Sequence, residues 1–185
     1  MTRTLAQTLG ETPHLSPLLH KARRLGLATP DDLLRLAVRR GCTHYMPPDY
    51  TPASVTEPGR ERLSDLELAI ALCSAAQAYE PRLVRCATQL LGAPGIEPRP
   101  LARLARMERC ARVIRHIAEA ACVHDEGRQA FWRDVLAHLP SSRPVPPGVL
   151  PHASRFMLQT GCGDPLHPRQ PRAVWLRPRP SSHDQ

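Results

Sequence analysis

Leu63-Ser64-Asp65-Leu66-Glu67-Leu68-Ala69-Ile70-Ala71-Leu72-Cys73 carries the strongest helix signal in the chain. Ser64 followed three residues later by Glu67 is a capping box. The serine hydroxyl accepts from a free N–H of the first turn, and the glutamate reaches back to the serine N–H. Leu63 and Leu68 are placed for a hydrophobic staple across the same start. Beyond it Leu66, Leu68, Ala69, Ile70, Leu72, Cys73 and Ala76 make the segment apolar almost all round. A helix of that kind belongs at the buried centre of other helices.

Helical signals continue on the C-terminal side. Pro81 opens a second helix that ends at Gly92, and a Pro/Gly loop leads to a long helix from about Pro100 to Val123. Asp125-Glu126-Gly127 breaks that pattern before a last amphipathic helix carrying Phe131, Trp132, Val135, Leu136 and Leu139. Four helices with short connections across residues 63–140 predict a bundle-like core.

Residues 14–41 predict an αα-hairpin. Ser16-Pro17 places an N-cap serine before a proline at the first helical position, and Gly26 ends that helix. Thr29-Pro30-Asp31-Asp32 opens the next with acidic residues at the positive end of its dipole, and Arg39-Arg40-Gly41 closes it with the opposite charge. Residues 46–60 carry Pro47, Pro48, Pro52 and Pro58 and read as a connection that cannot be helical. Residues 1–140 are thus expected to form one helical domain. Residues 141–185 read as a Pro/Arg-rich, partly ordered tail. In it Pro151–Thr160 predicts one short helix stopped by Gly161, Ala173–Leu176 is the only strand-like segment, and Arg177–Gln185 is expected to be disordered. The predicted fold class is all-α: an N-terminal hairpin packed on a four-helix core, with at most one short strand in the tail.

Composition agrees. The 185 residues suffice for one core, and with only 4% aromatic residues that core must be built from many small aliphatic contacts. Six cysteines, Cys42, Cys73, Cys86, Cys110, Cys122 and Cys162, show no CxxC spacing, and four of them lie on predicted helices as small core hydrophobes. Met1–Gly10 holds no apolar run of signal-peptide length, so no export signal is expected, and the longest apolar stretch, Leu66–Ala76, is too short to span a bilayer. Reduced thiols, a cytoplasmic location and no membrane partner are expected.

The charge carries the functional argument. Lys+Arg number 25 against 17 Asp+Glu, a net +8, and Lys21 is the only lysine. Such a charge serves solubility, but guanidinium groups also bind phosphates and carboxylates bidentately. Arg103, Arg106, Arg109, Arg112 and Arg115 recur along the predicted long helix. Leu104, Met107, Ala111, Ile114, Ala118 and Ala121 gather on its other side. An arginine face of this kind predicts a non-catalytic binding protein whose partner is nucleic acid or an acidic protein surface. Arg35, Arg39 and Arg40 are placed to touch a backbone. Asp31 and Asp32 occupy the positions that would read bases in a helix-turn-helix, which argues against that motif.

The alternative is an enzyme with a site assembled from dispersed residues. His116, Glu119 and Cys122 follow one another on successive turns, and Cys162-Gly163-Asp164-Pro165-Leu166-His167 places a thiol and an imidazole in one loop. Neither set has the matching partners that a metal requires. No nucleophile elbow, metalloprotease motif, phosphate loop or dinucleotide fingerprint is present. No catalytic residue, metal or cofactor is therefore expected, and the sequence does not fix an oligomeric state.

Overall fold

The capping box forms as the sequence predicts. In the computed structural model, which describes residues 3–11, 15–42, 62–160 and 172–179, Glu67 N donates to Ser64 Oγ at 3.1 Å and Ser64 N to Glu67 Oε2 at 2.8 Å. The helix it starts, α4 (Asp65–Leu72), buries Leu68 through Leu72 completely.

Around it the described residues form seven further helices: α1 (Leu5–Thr8), α2 (Pro17–Arg24), α3 (Pro30–Arg39), α5 (Pro81–Leu91), α6 (Pro98–Met107), α7 (Ala111–His124) and α8 (Gln129–His138). The protein is all-α with a helical-bundle core, and α4 packs on α5, α7 on α8 and α6 on α8. A continuous hydrophobic cluster runs from Leu5 to Trp175. Ser16 caps α2 on Leu19 N as expected, and α3 starts with a Thr29/Asp32 capping box in addition to the acidic first turn expected there. Lys21 Nζ bonds Glu67 Oε1 at 2.8 Å and ties α2 to α4. Burial alone would raise the Glu67 carboxyl. The bonds from Lys21 and Ser64 outweigh it and hold the group below its ordinary value. Helix α1 lay outside the sequence expectation. A Thr4/Gln7 capping box starts it, and Leu5 N and Ala6 N bond Gln77 O and Ala75 O just after α4.

Three expectations are corrected. The predicted helix from about Pro100 to Val123 is two helices, so residues 63–140 hold five rather than four. Helix α6 ends at Met107, Arg109 takes a left-handed φ of 52°, and α7 begins at Ala111. Arg109 N bonds Arg106 O at 3.1 Å and Cys110 N bonds Ala105 O at 2.9 Å. These are the two bonds of a Schellman turn. The carboxylate of Glu108, 1% exposed, leaves the helix line and accepts from Ser16 Oγ and, at 2.9 Å, from Leu18 N. It thereby satisfies free N–H and O–H donors at the start of α2.

The tail is the second correction. Pro151–Thr160 holds a 3-10 turn (Ala153–Phe156) followed by strand β1 (Met157–Thr160), which pairs antiparallel with β2 (Arg172–Trp175). Among the described residues there are two strands, not at most one, because Ala173–Trp175 finds its partner just before the 161–171 interval. Phe156 and Trp175, both buried, face each other with ring centroids 5.7 Å apart in the common core.

Third, residues 177–179, expected to be disordered, are held. Arg177 Nη2 meets Asp125 Oδ1 at 2.5 Å, Gln89 Nε2 bonds Arg177 O at 2.9 Å, and Arg179 N bonds Gly41 O at 3.1 Å. A Cβ on Gly41 would lie 2.1 Å from Arg179 O, so glycine is required there for contact as well as for its φ of 92°. The 46–60 connection, the Cys162–His167 loop and residues 180–185 lie outside the described residues. Among those described, no helix is long and apolar enough to cross a membrane.

Candidate anion-binding face

The break after Met107 divides the arginine series in two. On α6, Leu101, Ala102 and Ala105 turn inward and are buried, which leaves Arg103, Arg106 and Met107 on the outer side at i, i+3 and i+4. Arg109 follows in the turn. The Arg103, Arg106 and Arg109 side chains are exposed, and none makes a hydrogen bond or ion pair with the described residues. Met107 between them is 58% exposed.

Arg112 and Arg115, on α7, are occupied. Arg112 donates from Nη1 to Leu9 O, from Nε to Arg143 O and from Nη2 to Pro144 O, each at 3.0 Å, with Glu11 Oε1 3.7 Å away. It joins the first helix to the segment after α8. Arg115 caps the end of α8, donating through Nη2 to Leu139 O and Pro140 O at 3.0 Å and through Nε to Pro140 O at 3.2 Å. A cation among the terminal carbonyls of a helix complements its dipole. The continuous five-residue face expected from the sequence is therefore two exposed arginines on α6 and one in the turn after it, followed by two structural clamps. The helix period on which the expectation rested resets at Arg109.

The arginines of α3 do not join this face through any contact. Arg35 and Arg39 are half-buried, and Arg40 reaches α4, donating to Leu63 O and pairing with Asp65 Oδ1 at 2.7 Å. An arginine interaction that sequence reading missed lies at the other end of the bundle. Asp125, 1% exposed, accepts from Trp132 Nε1 at 2.8 Å as well as from Arg177. Beside it Arg128 donates to Ala93 O at 2.7 Å and lies 3.9 Å over the Phe131 ring. Burial and the nearby Arg177 charge lower the Arg128 guanidinium from its usual value, with Asp125 opposing them. A cleft of about 380 Å³ opens there between His124, Glu126, Gly127 and Val174, but the Asp125 carboxylate in its wall is already engaged. Asp125-Glu126-Gly127 marked the place in the sequence only as a helix break.

His116, Glu119 and Cys122 do not converge. His116 Nε2 lies 3.0 Å from Pro151 O, Glu119 is exposed with Arg115 Nη1 3.7 Å away, and burial pushes the Cys122 thiol up. Among the described residues no group of three or more His, Cys, Asp or Glu side chains is arranged to hold a metal ion. Cys42, Cys73, Cys86 and Cys110 are buried free thiols. Desolvation pushes Cys73 and Cys86 up to about 12.

Comparison of the chain with protein-family models, with curated proteins and with solved structures finds no match.

Proposed function

We propose that this is a cytoplasmic, non-catalytic binding protein that presents Arg103, Arg106 and Arg109 to an anionic partner, a nucleic acid or an acidic protein surface. One observation carries the reading. Arg112 and Arg115 are spent on main-chain carbonyls, while the three guanidinium groups just before them are exposed and carry no partner among the described residues. Exposed, un-neutralised arginines contribute little to stability, so their grouping favours a role outside folding. The five cysteines among the described residues are free and mostly buried, which favours a reducing compartment.

The test is the triple variant Arg103→Gln/Arg106→Gln/Arg109→Gln, measured against labelled heparin and labelled polyglutamate by fluorescence anisotropy. The wild type is expected to bind both anions. The variant loses most of that affinity, its salt slope on heparin falls by roughly one unit per contact removed, and its melting curve is unchanged. A wild type that binds neither anion, or a triple variant that binds as well as wild type, overturns the proposal.

A further inference from the structure

We infer that the α6 face docks an acidic protein segment that also carries apolar side chains, such as a helix with glutamates flanking a leucine stripe. The inference rests on the anion-binding reading above and narrows it from two partner classes to one.

The reason is the apolar component of the face. Met107 stands 58% exposed on α6 with Arg103 and Arg106, and Arg109 follows two residues later in the turn. Leu15, 96% exposed, immediately precedes Ser16, and Met107 immediately precedes Glu108. The Ser16–Glu108 hydrogen bond thus joins the chain positions next to both residues, at the junction where the start of α2 meets the end of α6. A phosphate backbone would engage the guanidinium groups and leave both apolar side chains in water. An acidic amphipathic segment uses both, since its carboxylates pair with the arginines while its apolar side chains cover Met107 and Leu15.

Two further observations separate a protein from a nucleic acid. Single-stranded nucleic acids are held by aromatic platforms on which bases stack. The exposed large apolar residues described here are Leu15, Met107, Val123, Leu158 and Val174, with no aromatic ring among them. Arg and Met, by contrast, are the residue types enriched where proteins meet, and lysine is depleted there. Methionine's unbranched, polarizable side chain adapts to whichever apolar group arrives.

Three labelled probes test the inference by fluorescence anisotropy. The first is a synthetic helical peptide with leucines at i, i+3, i+4 and i+7 and glutamates elsewhere. The second is the same peptide with serine for leucine, and the third is a uridine oligonucleotide. The leucine peptide is expected to bind tightest. Met107→Ser should weaken it about tenfold, the loss that uncovering one well-buried side chain produces. Leu15→Ser should weaken it in the same direction, and both variants should leave the other two probes unchanged. The triple arginine variant should lose all three probes. If the oligonucleotide binds as tightly as the leucine peptide, or if Met107→Ser leaves the leucine peptide untouched, the inference falls while anion binding stands. If no probe binds wild type, or if the triple variant binds every probe as wild type does, the anion-binding reading falls with it. Both apolar residues are exposed, so unchanged melting curves keep a loss of binding distinct from a loss of fold.

Discussion

The turn after α2 and the turn after α6 are the same turn made from different residues. In Ala22-Arg23-Arg24-Leu25-Gly26-Leu27, Gly26 N bonds Arg23 O at 3.0 Å and Leu27 N bonds Ala22 O at 2.9 Å. In Ala105-Arg106-Met107-Glu108-Arg109-Cys110, the matching bonds run from Arg109 to Arg106 and from Cys110 to Ala105. An alanine with no exposed surface begins each turn, and a buried apolar residue, Leu27 or Cys110, ends it. The left-handed position is filled differently, with φ of 81° at Gly26 and 52° at Arg109. Glycine takes that conformation without steric cost, whereas arginine loses roughly 1 kcal/mol. The first turn is written into its own six residues. The second is held from outside, by the Glu108 carboxylate on Ser16 and Leu18.

That contrast is breakable, and the largest effect belongs to its external support. Glu108→Ala is expected to cost about 3 kcal/mol in a denaturant melt, because it strips charge-assisted bonds from buried donors. A loss below about 1 kcal/mol would mean that the α6–α7 turn is as self-sufficient as the α2–α3 turn.

The residues that close the two turns give the next test. Burial raises the Cys110 thiol well above its ordinary value, with Cys73 and Glu108 adding to the shift, whereas Leu27 does not titrate. A thiol whose folded pKa is raised contributes its full stability below the unfolded pKa of 9.0 and loses it as pH rises above that value. Cys110→Ala should therefore flatten the decline of stability above about pH 9 by about 1.4 kcal/mol per pH unit. Leu27→Ala should lower stability without changing that slope. Melts of the two variants across the alkaline range decide it.

The smallest effects fall at the left-handed position itself. Gly26→Ala meets no atom within 4 Å of the added Cβ, so it should cost only the conformational term, about 1 kcal/mol. Arg109→Gly relieves the same term but frees the unfolded chain, and should stabilise by about 0.5 kcal/mol. Thermal melts showing the same sign for both would remove the equivalence of the two turns.

Helix type, helix starts and the buried centre were legible because their causes are local. Ser16, Thr29 and Ser64 bond residues within their own first turns, and the 66–73 run cannot avoid burial. The hairpin was legible for the same reason, with Gly26 and Gly41 supplying the turn conformation at the positions that need it. The candidate site was half legible. The arginine series stood out, but its division into exposed Arg103, Arg106 and Arg109 and clamped Arg112 and Arg115 did not.

What tertiary structure alone decided shares one physical feature, a polar group bonded to a partner far along the chain. Glu108 and Ser16 are 92 residues apart, Arg112 and Leu9 are 103, and Gln89 and Arg177 are 88. Sequence periodicity assumes that a helix continues until a local residue stops it. Here a distant serine and a distant backbone N–H compensated an arginine for taking glycine's conformation, and that exchange turned one predicted helix into two. The same kind of bond fixed residues 177–179, which Asp125, Gln89 and Gly41 engage. Local capping and apolar pattern set which segments are helices. Long-range satisfaction of buried polar groups set where one of them breaks, how residues 177–179 are held, and which arginines of the series are clamped.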